Sequence, residues 1–201
     1  MTTIVIASGN EKKAREMRSL LPEGFEVMTA TQAQISMPDE TGLTFEENAL
    51  LKARQAARQS GRLCVADDSG LEIDALGGKP GVRSARFAVD HGLPKGDEEN
   101  NRLALKMLDA VPGGERSARF VSAVAVVSPD GREAVVRGTI EGQIGREPRG
   151  ENGFGYDPLF IPEGSSRTMA ELTDEEKNAT SHRGRAFKAA VPHILEFVQN
   201  S

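Results

Sequence analysis

The 201-residue sequence predicts an α/β protein, and three of its features indicate that class. Short β-branched and apolar runs alternate with charged segments in which apolar residues recur at helical spacing. Residues that favour turns separate these segments. No repeat, low-complexity tract or linker interrupts the alternation. We therefore expect one compact α/β unit over residues 1–201, built as one large domain or as two lobes that share a single sheet.

The N-terminal segment predicts a strand, a tight turn, a helix and a second strand. Thr3–Ala7 is a β-branched and apolar run, and Ser8-Gly9-Asn10 interrupts it. Residues 11–21 are charged and carry apolar residues at helical spacing until Pro22 ends the pattern. Phe25–Thr29 then predicts the second strand. The turn is thereby placed between a strand and the start of a helix.

The rest of the chain continues the alternation. Thr44 and Glu47 have the spacing of a capping box, which opens a helix that runs to about Ser60. Leu63–Ala66 predicts a buried strand that ends in the turn-like sequence Asp67-Asp68-Ser69-Gly70. The other expected elements are loops at 32–43 and 77–81, a mobile loop at 88–96, a helix at 97–110, a hairpin of strands at 118–128 and 133–144, a Gly-rich loop at 150–157, a strand at 159–161, and a helix from about 173 that Pro192 kinks or restarts.

The composition argues against several classes of function. The formal net charge is −5, whereas general nucleic-acid binding relies on an excess of Lys and Arg. The N-terminus lacks the regions of a signal peptide, and no apolar run approaches the roughly 18 residues of a membrane helix. The lone Cys64 cannot form an intramolecular disulfide. We expect a cytoplasmic protein that binds neither nucleic acid nor membrane and that concentrates its cations locally if it binds phosphate.

The segment Ser8-Gly9-Asn10-Glu11-Lys12-Lys13 is the first candidate site. A strand-to-helix turn directs backbone N–H groups and the positive end of a helix towards one point, which suits an anion. Gly9 allows close approach, and Ser8 and Asn10 offer hydrogen-bond donors. Lys13 falls in the first turn of the helix, although the Walker A pattern is absent. The alternative is an ordinary strand-to-helix turn with a surface lysine.

Glu40 and the pair Asp67-Asp68 form the second candidate group. Neighbouring side chains of a strand point to opposite faces, so only one of the two aspartates is expected to face a site. Sites in α/β sheets cluster beyond the carboxyl ends of strands, where Asp68-Ser69-Gly70 lies. Carboxylates there suit Mg²⁺, which takes one or two protein oxygens and completes its shell with water and phosphate. The alternative is that the two aspartates cap a turn.

Asn48 and Lys52 lie one turn apart on the predicted 44–60 helix and therefore share a face. Taken alone, this pair is also compatible with a solvated surface. Only the neighbours of that face can give the pair a function.

Gly153-Phe154-Gly155-Tyr156-Asp157-Pro158 fails the dinucleotide-binding pattern, because Pro158 replaces the third glycine. Its two aromatic residues could stack on a base, and Asp157 could orient the segment or a ligand. The alternative is a Gly-rich turn before a strand.

Lys177 is followed by Ser181-His182-Arg183, which places hydroxyl, imidazole and guanidinium donors within a few residues. A lone histidine is more often structural than catalytic. The adjacent arginine favours a functional interpretation, and the structural one stays open.

Together, these segments resemble the inosine/xanthosine triphosphate pyrophosphatase family. The matching stretches occur in the family's order from residue 3 to about 190, and the ordered set is far more specific than any single motif. They are Ser8-Gly9-Asn10 with Lys13, Glu40-Thr41-Gly42 with Phe45 and Asn48-Ala49, Lys52-Ala53, Ala66-Asp67-Asp68-Ser69-Gly70-Leu71, Pro80-Gly81, Ser84-Ala85-Arg86, Phe154-Gly155-Tyr156-Asp157-Pro158, Ala170-Glu171-Leu172, Lys177 and Ser181-His182-Arg183-Gly184.

The resemblance implies an elongated mixed β-sheet flanked by helices, with two lobes around a central cleft, and a homodimer. It also implies a Mg²⁺-dependent enzyme that hydrolyses ITP, dITP and XTP between the α and β phosphates to the monophosphate and pyrophosphate. Such an enzyme removes deaminated purine nucleotides before they enter DNA and RNA.

The resemblance also assigns roles to residues. Glu40 and Asp68 would hold Mg²⁺, and Asp68 is the candidate base towards the attacking water. Lys13, Lys52 and Lys177 would neutralise the triphosphate, with Lys13 and Lys52 counted among the catalytic groups. The full set of expected substrate-binding residues is Ser8, Gly9, Asn10, Glu11, Lys12, Lys13, Lys52, Ser69, Phe154, Gly155, Tyr156, Asp157, Lys177, His182 and Arg183.

Other functions fit parts of the sequence. A related enzyme could act on a modified pyrimidine or methylated guanine nucleotide, but Ser181-His182-Arg183 favours the inosine class. A non-catalytic nucleotide-binding regulator would have no need for Glu40 and Asp68 together. A scaffold protein would not need three separated lysines with two carboxylates. An enzyme is therefore the leading interpretation.

Overall fold

The computed structural model describes residues 2–173, 175–177 and 181–200. The helices and strands are, in chain order, β1 (Thr2–Ile6), α1 (Glu11–Leu20), β2 (Phe25–Thr29), α2 (Phe45–Ser60), β3 (Cys64–Ile73), α3 (Phe87–Asp90), α4 (Asp97–Met107), β4 (Ser117–Val127), β5 (Glu133–Ile144), β6 (Phe160–Pro162) and α5 (His182–Gln199). The strands of this described part form one sheet in the order β2-β1-β3-β4-β5-β6. None of its helices combines the length and apolar character that a membrane span requires.

The sheet contains both parallel and antiparallel pairs. β1 lies parallel to β2 on one side and to β3 on the other, with Ile6 opposite Thr29 and Val65. β5 and β6 are antiparallel, with Ile144 opposite Phe160. A mixed sheet with helices between its strands confirms the predicted α/β class.

The chain divides into two compact units. Unit 1 comprises Met1–Asp68, Ser122–Gly138 and Arg183–Ser201, and unit 2 comprises Ser69–Val121 and Thr139–His182. Each unit has a hydrophobic core of its own.

The core of unit 1 packs β1 against two helices. Ile4 and Ile6 of β1 contact a buried cluster that includes Met17 of α1 and Phe187 and Ile194 of α5. Each such side chain contributes roughly 1.5–3 kcal/mol when it leaves water completely. This packing holds the end of β1 in place, and the first candidate turn begins directly after it.

The core of unit 2 contains the Gly-rich segment's tyrosine. Tyr156 belongs to a buried cluster with Leu71 and Ile73 of β3, Phe120 of β4 and Phe160 of β6. The segment is therefore anchored to the core at Tyr156.

The predicted helix start at Thr44 is confirmed, with one change in its hydrogen bonds. Thr44 Oγ1 accepts from Glu47 N at 3.1 Å and caps α2. The Glu47 carboxylate accepts from Leu43 N at 2.6 Å, one residue before the position that a capping box uses. The cap therefore holds the loop before α2 as well as the helix.

The largest departure from the sequence prediction is the length of β3. The strand was expected to end at Ala66 and to turn at Asp67-Asp68-Ser69-Gly70, whereas β3 continues to Ile73. Asp, Ser and Gly disfavour strands, but pairing within the sheet and burial override that local preference. The interpretation of Asp67 and Asp68 as caps of a turn is therefore wrong.

The predicted C-terminal helix also differs. Residues 175–177 are helical, and α5 begins at His182 rather than near Thr173. Residues 174 and 178–180, which the prediction included, lie outside the described residues. Pro192 lies inside α5 and does not end it.

Smaller differences concern unit 2. The short helix α3 occupies the start of the loop predicted at 88–96, and α4 ends at Met107 instead of residue 110. The predicted hairpin is confirmed, since β4 and β5 are neighbours in the sheet.

Candidate active site

The turn between β1 and α1 holds its shape through its own side chains. Asn10 caps α1, because its Oδ1 accepts from Lys12 N at 2.9 Å and from Lys13 N at 3.4 Å. Ser8 Oγ accepts from Asn10 N at 3.2 Å. A Cβ atom at Gly9 would lie 3.0 Å from Thr31 Oγ1. Several N–H groups that the sequence assigned to an anion therefore already donate to Ser8 and Asn10.

Lys13 and Arg183 both contact the buried carboxylate of Asp67. Lys13 Nζ donates to Oδ1 and Oδ2 of Asp67, both at 2.8 Å, and Arg183 Nε lies 3.4 Å from Oδ2. The Asp67 side chain is 1% exposed. The sequence left the role of Asp67 open, and these contacts show that it holds two cations of unit 1.

Lys52 contacts two carboxylates. Its Nζ donates to Glu40 Oε1 at 2.7 Å and to Asp68 Oδ1 at 3.1 Å. Asn48 Nδ2 donates to the other oxygen of Asp68 at 3.1 Å. Asn48 and Lys52 are both buried, so the predicted shared face of α2 is confirmed and the solvated alternative is wrong.

The two aspartates of β3 face different partners, as neighbouring positions of a strand should. Asp67 meets Lys13 and Arg183, whereas Asp68 meets Lys52 and Asn48. The expectation that only one aspartate would face a site stays a prediction, and both carboxylates are buried and ion-paired.

Charge and burial act in opposite directions on these groups. Burial alone would raise the pKa of Asp67, but the charges of Lys13 and Arg183 outweigh it and hold that pKa below its ordinary value. Burial raises the pKa of Asp68, with Lys52 opposing the rise and Glu40 adding to it. Burial lowers the pKa of Lys52, but Asp68 and Glu40 outweigh that effect and raise it, so the lysine stays protonated.

The loop that carries Glu40 is fixed to α2 by a contact that no sequence pattern indicated. Gly42 N donates to Asn48 Oδ1 at 2.7 Å, while the amide nitrogen of the same side chain donates to Asp68. A Cβ atom at Gly42 would overlap Asn48. Asn48 therefore connects the Glu40 loop with Asp68, and Gly42 provides the space that this connection requires.

The donor set around Lys52 fits a hard divalent cation. Glu40 and Asp68 both place a carboxylate oxygen beside the same atom, Lys52 Nζ. Mg²⁺ takes one or two carboxylates, and water and phosphate fill its other positions. The described residues contain no group of three or more His, Cys, Asp or Glu side chains placed to bind a metal on their own. A metal here would depend on water or phosphate for most of its ligands.

In unit 2, Asp157 organises the Gly-rich segment. Its Oδ2 accepts from Lys177 Nζ at 3.1 Å and from Phe154 N at 3.3 Å. Gly153 has φ +95°, and a Cβ atom there would overlap both the Asp157 carboxylate and the Lys177 ammonium group. The pair of Asp157 and Lys177 therefore occupies the space beside Gly153.

The two aromatic residues of this segment have different environments. Phe154 is 68% exposed, whereas Tyr156 is 4% exposed and its hydroxyl donates to Ser84 O at 2.8 Å. The prediction that both rings could stack on a base is wrong for Tyr156, because its ring is part of the core. Phe154 keeps an accessible ring.

His182 stacks on an aromatic residue that the sequence analysis did not single out. Its ring lies 5.2 Å from that of Phe120, with 14° between the ring planes. Phe120 sits on β4, more than sixty positions earlier, so only the fold brings the two rings together. The other predicted residues are placed as follows: Ser69 is half-buried in β3 after Asp68, and Glu11 and Lys12 are exposed in the first turn of α1.

The fold and these side chains define an α/β protein with a charge-paired site suited to phosphate. The family can be stated as well: the chain belongs to the Ham1 family, whose model matches residues 4–193. This membership agrees with the resemblance that the ordered motifs indicated.

Individual relatives cover nearly the whole chain. The dITP/XTP pyrophosphatase of Elusimicrobium minutum is 50% identical over 191 residues, which are 92% of this chain and 95% of that protein. The structure of a HAM1 protein from Coxiella burnetii has a TM-score of 0.89 at 43% identity, covering 98% of this chain and 100% of that one. The structure of a nucleoside-triphosphatase / dITP/XTP pyrophosphatase from Mycobacterium abscessus has a TM-score of 0.79 at 48% identity, with 95% and 100% covered.

Proposed function

We infer that the protein hydrolyses deaminated purine nucleoside triphosphates to the monophosphate and pyrophosphate, which removes them from the nucleotide pool. The observation that carries this inference is the buried Lys52, which is held between Glu40 and Asp68 in a member of the Ham1 family. Relatives about 50% identical over almost the full chain are named dITP/XTP pyrophosphatases. The substrates are therefore ITP, dITP and XTP.

We propose that Asp68 orients the attacking water and accepts its proton. The two contacts of its carboxylate, with Lys52 and Asn48, fix the direction of the oxygens before substrate binds. Glu40 and Asp68 would hold Mg²⁺, which supplies positive charge to the phosphate oxygens. Positioning and electrostatic stabilisation are the main contributions in phosphoryl transfer, so the fixed geometry of these side chains matters more than any covalent step.

The cations of unit 1 would bind the triphosphate. Lys13 and Lys52 are half-buried or buried, and each is held by a carboxylate, so little side-chain freedom remains to be lost on binding. The turn that precedes Lys13 is exposed at Gly9 and Asn10. A polyanion attracted to this site would meet ammonium groups that are already in place.

We propose that the Gly-rich segment of unit 2 recognises the base. Phe154 offers an exposed ring for stacking, and the pair of Asp157 and Lys177 holds the segment in shape. His182, stacked on Phe120, adds an oriented imidazole. Hypoxanthine and xanthine carry a 6-keto acceptor where adenine carries an amino donor, so donors presented there discriminate between them.

Replacing Arg183 by Ala should narrow the preference for ITP over ATP by about tenfold, because a guanidinium donor would lose its bond to the 6-keto oxygen. The contact with Asp67 engages Nε, and a guanidinium group carries five N–H donors in all. The measurement is kcat/KM for both nucleotides. Arg185→Ala, which removes an exposed arginine of the same helix, is the control. An equal fall in kcat/KM for ITP and for ATP would indicate that Arg183 acts with Asp67 in binding the phosphates and not in recognising the base.

The proposed function is tested by pyrophosphate release from ITP, dITP, XTP, GTP, ATP and dTTP, with and without Mg²⁺. We expect Mg²⁺-dependent release concentrated on the first three nucleotides, with the monophosphate as second product. Equal turnover of all six nucleotides would support the hydrolase activity and contradict the proposed preference for deaminated bases. Binding without turnover would indicate a nucleotide-binding regulator.

We propose that the protein is cytoplasmic and forms a homodimer. Light scattering during size-exclusion chromatography tests the dimer directly. A single species at the monomer mass of 21.6 kDa would contradict it.

A further inference from the structure

Two side chains of α4 hold the backbone of Gly155, a residue in the middle of the Gly-rich segment. Asp97 Oδ2 accepts from Gly155 N at 2.7 Å, and Asn101 Nδ2 donates to Gly155 O at 2.9 Å. Asp97 and Asn101 are one helical turn apart and so lie on the same face of α4. Both polar backbone groups of Gly155 are thus bound by side chains of a helix more than fifty positions earlier.

A cavity adjoins these two hydrogen bonds. This cavity, of about 580 Å³, lies between α4 and the segment. Its lining includes the three hydrogen-bonded residues, Asp97, Asn101 and Gly155, together with Leu105 and Phe154. Because Gly155 itself lines this cavity, its two hydrogen bonds to α4 hold it on a side where packing against the cavity does not.

The orientation of Asn101 shows what the contact requires. Asn101 is 7% exposed, and within the described residues no donor reaches its buried Oδ1. A buried unpaired acceptor is costly, so its persistence needs an explanation. If the side-chain amide of Asn101 were rotated by 180°, Oδ1 would face Gly155 O and the hydrogen bond from Nδ2 would be lost. The unpaired Oδ1 is therefore the consequence of the hydrogen bond that Nδ2 donates to Gly155 O.

Gly155 is the point at which the segment leaves the core. It has φ +62°, and it stands between the buried Tyr156, whose hydroxyl is bound to Ser84 O, and the exposed Phe154. The backbone of Tyr156 is fixed by the core, so a change in the Gly155 peptides would redirect Phe154. The hydrogen bonds from α4 therefore hold the residue that directly follows the accessible ring of Phe154.

We propose that Asp97 and Asn101 are positioning residues for base recognition, acting through Gly155 on Phe154. This proposal rests on the proposed function, since it assumes that the segment contacts the base. Asn101 is buried and carries most of the effect, while the exposed Asp97 contributes a smaller part.

The first experiment compares Asn101→Ala with Asn100→Ala. Asn100 is its neighbour on α4 and is also buried, but its Oδ1 accepts from Ala88 N at 2.8 Å, which lies outside the segment. Each variant loses one hydrogen bond between a side chain and the backbone, so both should lower the midpoint of thermal unfolding. Only Asn101→Ala should raise KM for ITP, by about tenfold, with a smaller change in kcat.

Ligand binding separates the base from the phosphates. IMP carries the base, whereas pyrophosphate does not. In calorimetric titrations, Asn101→Ala should weaken IMP about tenfold and leave pyrophosphate binding as in the wild type. Asn100→Ala should leave both affinities unchanged.

The second experiment uses Asp97, which tests the proposal even if Asn101→Ala does not fold. Asp97→Asn keeps an oxygen that can accept from Gly155 N, so it should retain KM for ITP within about twofold of the wild type. Asp97→Ala loses the acceptor and should raise KM about threefold.

The outcomes also distinguish this proposal from the proposed function. A wild-type protein that neither hydrolyses ITP nor binds IMP would overturn the function itself. A wild type that turns over ITP, with Asn101→Ala indistinguishable from Asn100→Ala in KM and IMP affinity, would overturn only the positioning role. Equal behaviour of Asp97→Asn and Asp97→Ala would likewise remove Asp97 from it.

Discussion

Replacing Asp68 by Asn should lower kcat for ITP by on the order of 10²-fold or more while the fold is retained. Asn has nearly the same shape, but it cannot accept a proton from water, and its amide nitrogen cannot accept from Lys52 or Asn48 as a carboxylate oxygen does. Lys52 keeps its contact with Glu40, so the variant does not leave a buried charge without a partner. The measurement is steady-state turnover at saturating ITP, with circular dichroism to follow the fold.

Asp74→Asn is a suitable control for this variant. Asp74 follows β3 directly, and its carboxylate is ion-paired with Arg119, so the substitution removes the same charge near the same strand. Its turnover should stay at the wild-type level. Near-wild-type turnover by the Asp68 variant would remove that residue from the mechanism, whereas comparable losses in both variants would point to a general effect of charge.

The parts of the fold that sequence patterns predict well are those governed by neighbouring residues. Thr44 is a good N-cap, and α2 begins directly after it. The charged segment predicted from residue 11 is also helical from Glu11. The shared face of Asn48 and Lys52 follows from helical spacing alone. These features need no knowledge of the rest of the chain, so local chemistry is sufficient to place them.

The features that were missed depend on residues far apart in the sequence. Asp67 and Asp68 continue a strand because the sheet and its buried cations surround them, although their own propensities favour a turn. Tyr156 is buried in the core, and Phe120 stacks on His182. No local sequence pattern specifies either packing contact. Tertiary structure decides these positions.

The acidic composition and the cationic chemistry of the site are compatible because the cations are paired. Lys13 lies against Asp67, Lys52 against Glu40 and Asp68, and in unit 2 Lys177 lies against Asp157. Such pairs lose rotamer freedom during folding rather than on ligand binding. A protein with a net charge of −5 can thus present ordered ammonium groups without an overall positive surface.

Replacing Gly153 by Ala should lower kcat/KM for ITP by on the order of 10²-fold, because it disturbs the segment proposed to hold the base. Gly153 has φ +95°, and the added Cβ would occupy the space of the Asp157 carboxylate and the Lys177 ammonium group. The carboxylate and the ammonium group are the ends of side chains, so they can move away from the added Cβ, which backbone atoms could not do. The fold should therefore be retained, while the ion pair of Asp157 and Lys177 is broken and the affinity for the substrate falls.

Gly164→Ala separates this effect from backbone strain. Gly164 lies in the same unit with φ +76°, and nothing stands within 4 Å of a Cβ atom there. Both variants carry the cost of a left-handed residue, about 1–2 kcal/mol, and should show similar losses in thermal stability from that source. Only Gly153→Ala should lose activity, because only its Cβ displaces Asp157 and Lys177. If both variants kept wild-type kcat/KM, the pair of Asp157 and Lys177 would have no part in binding the substrate.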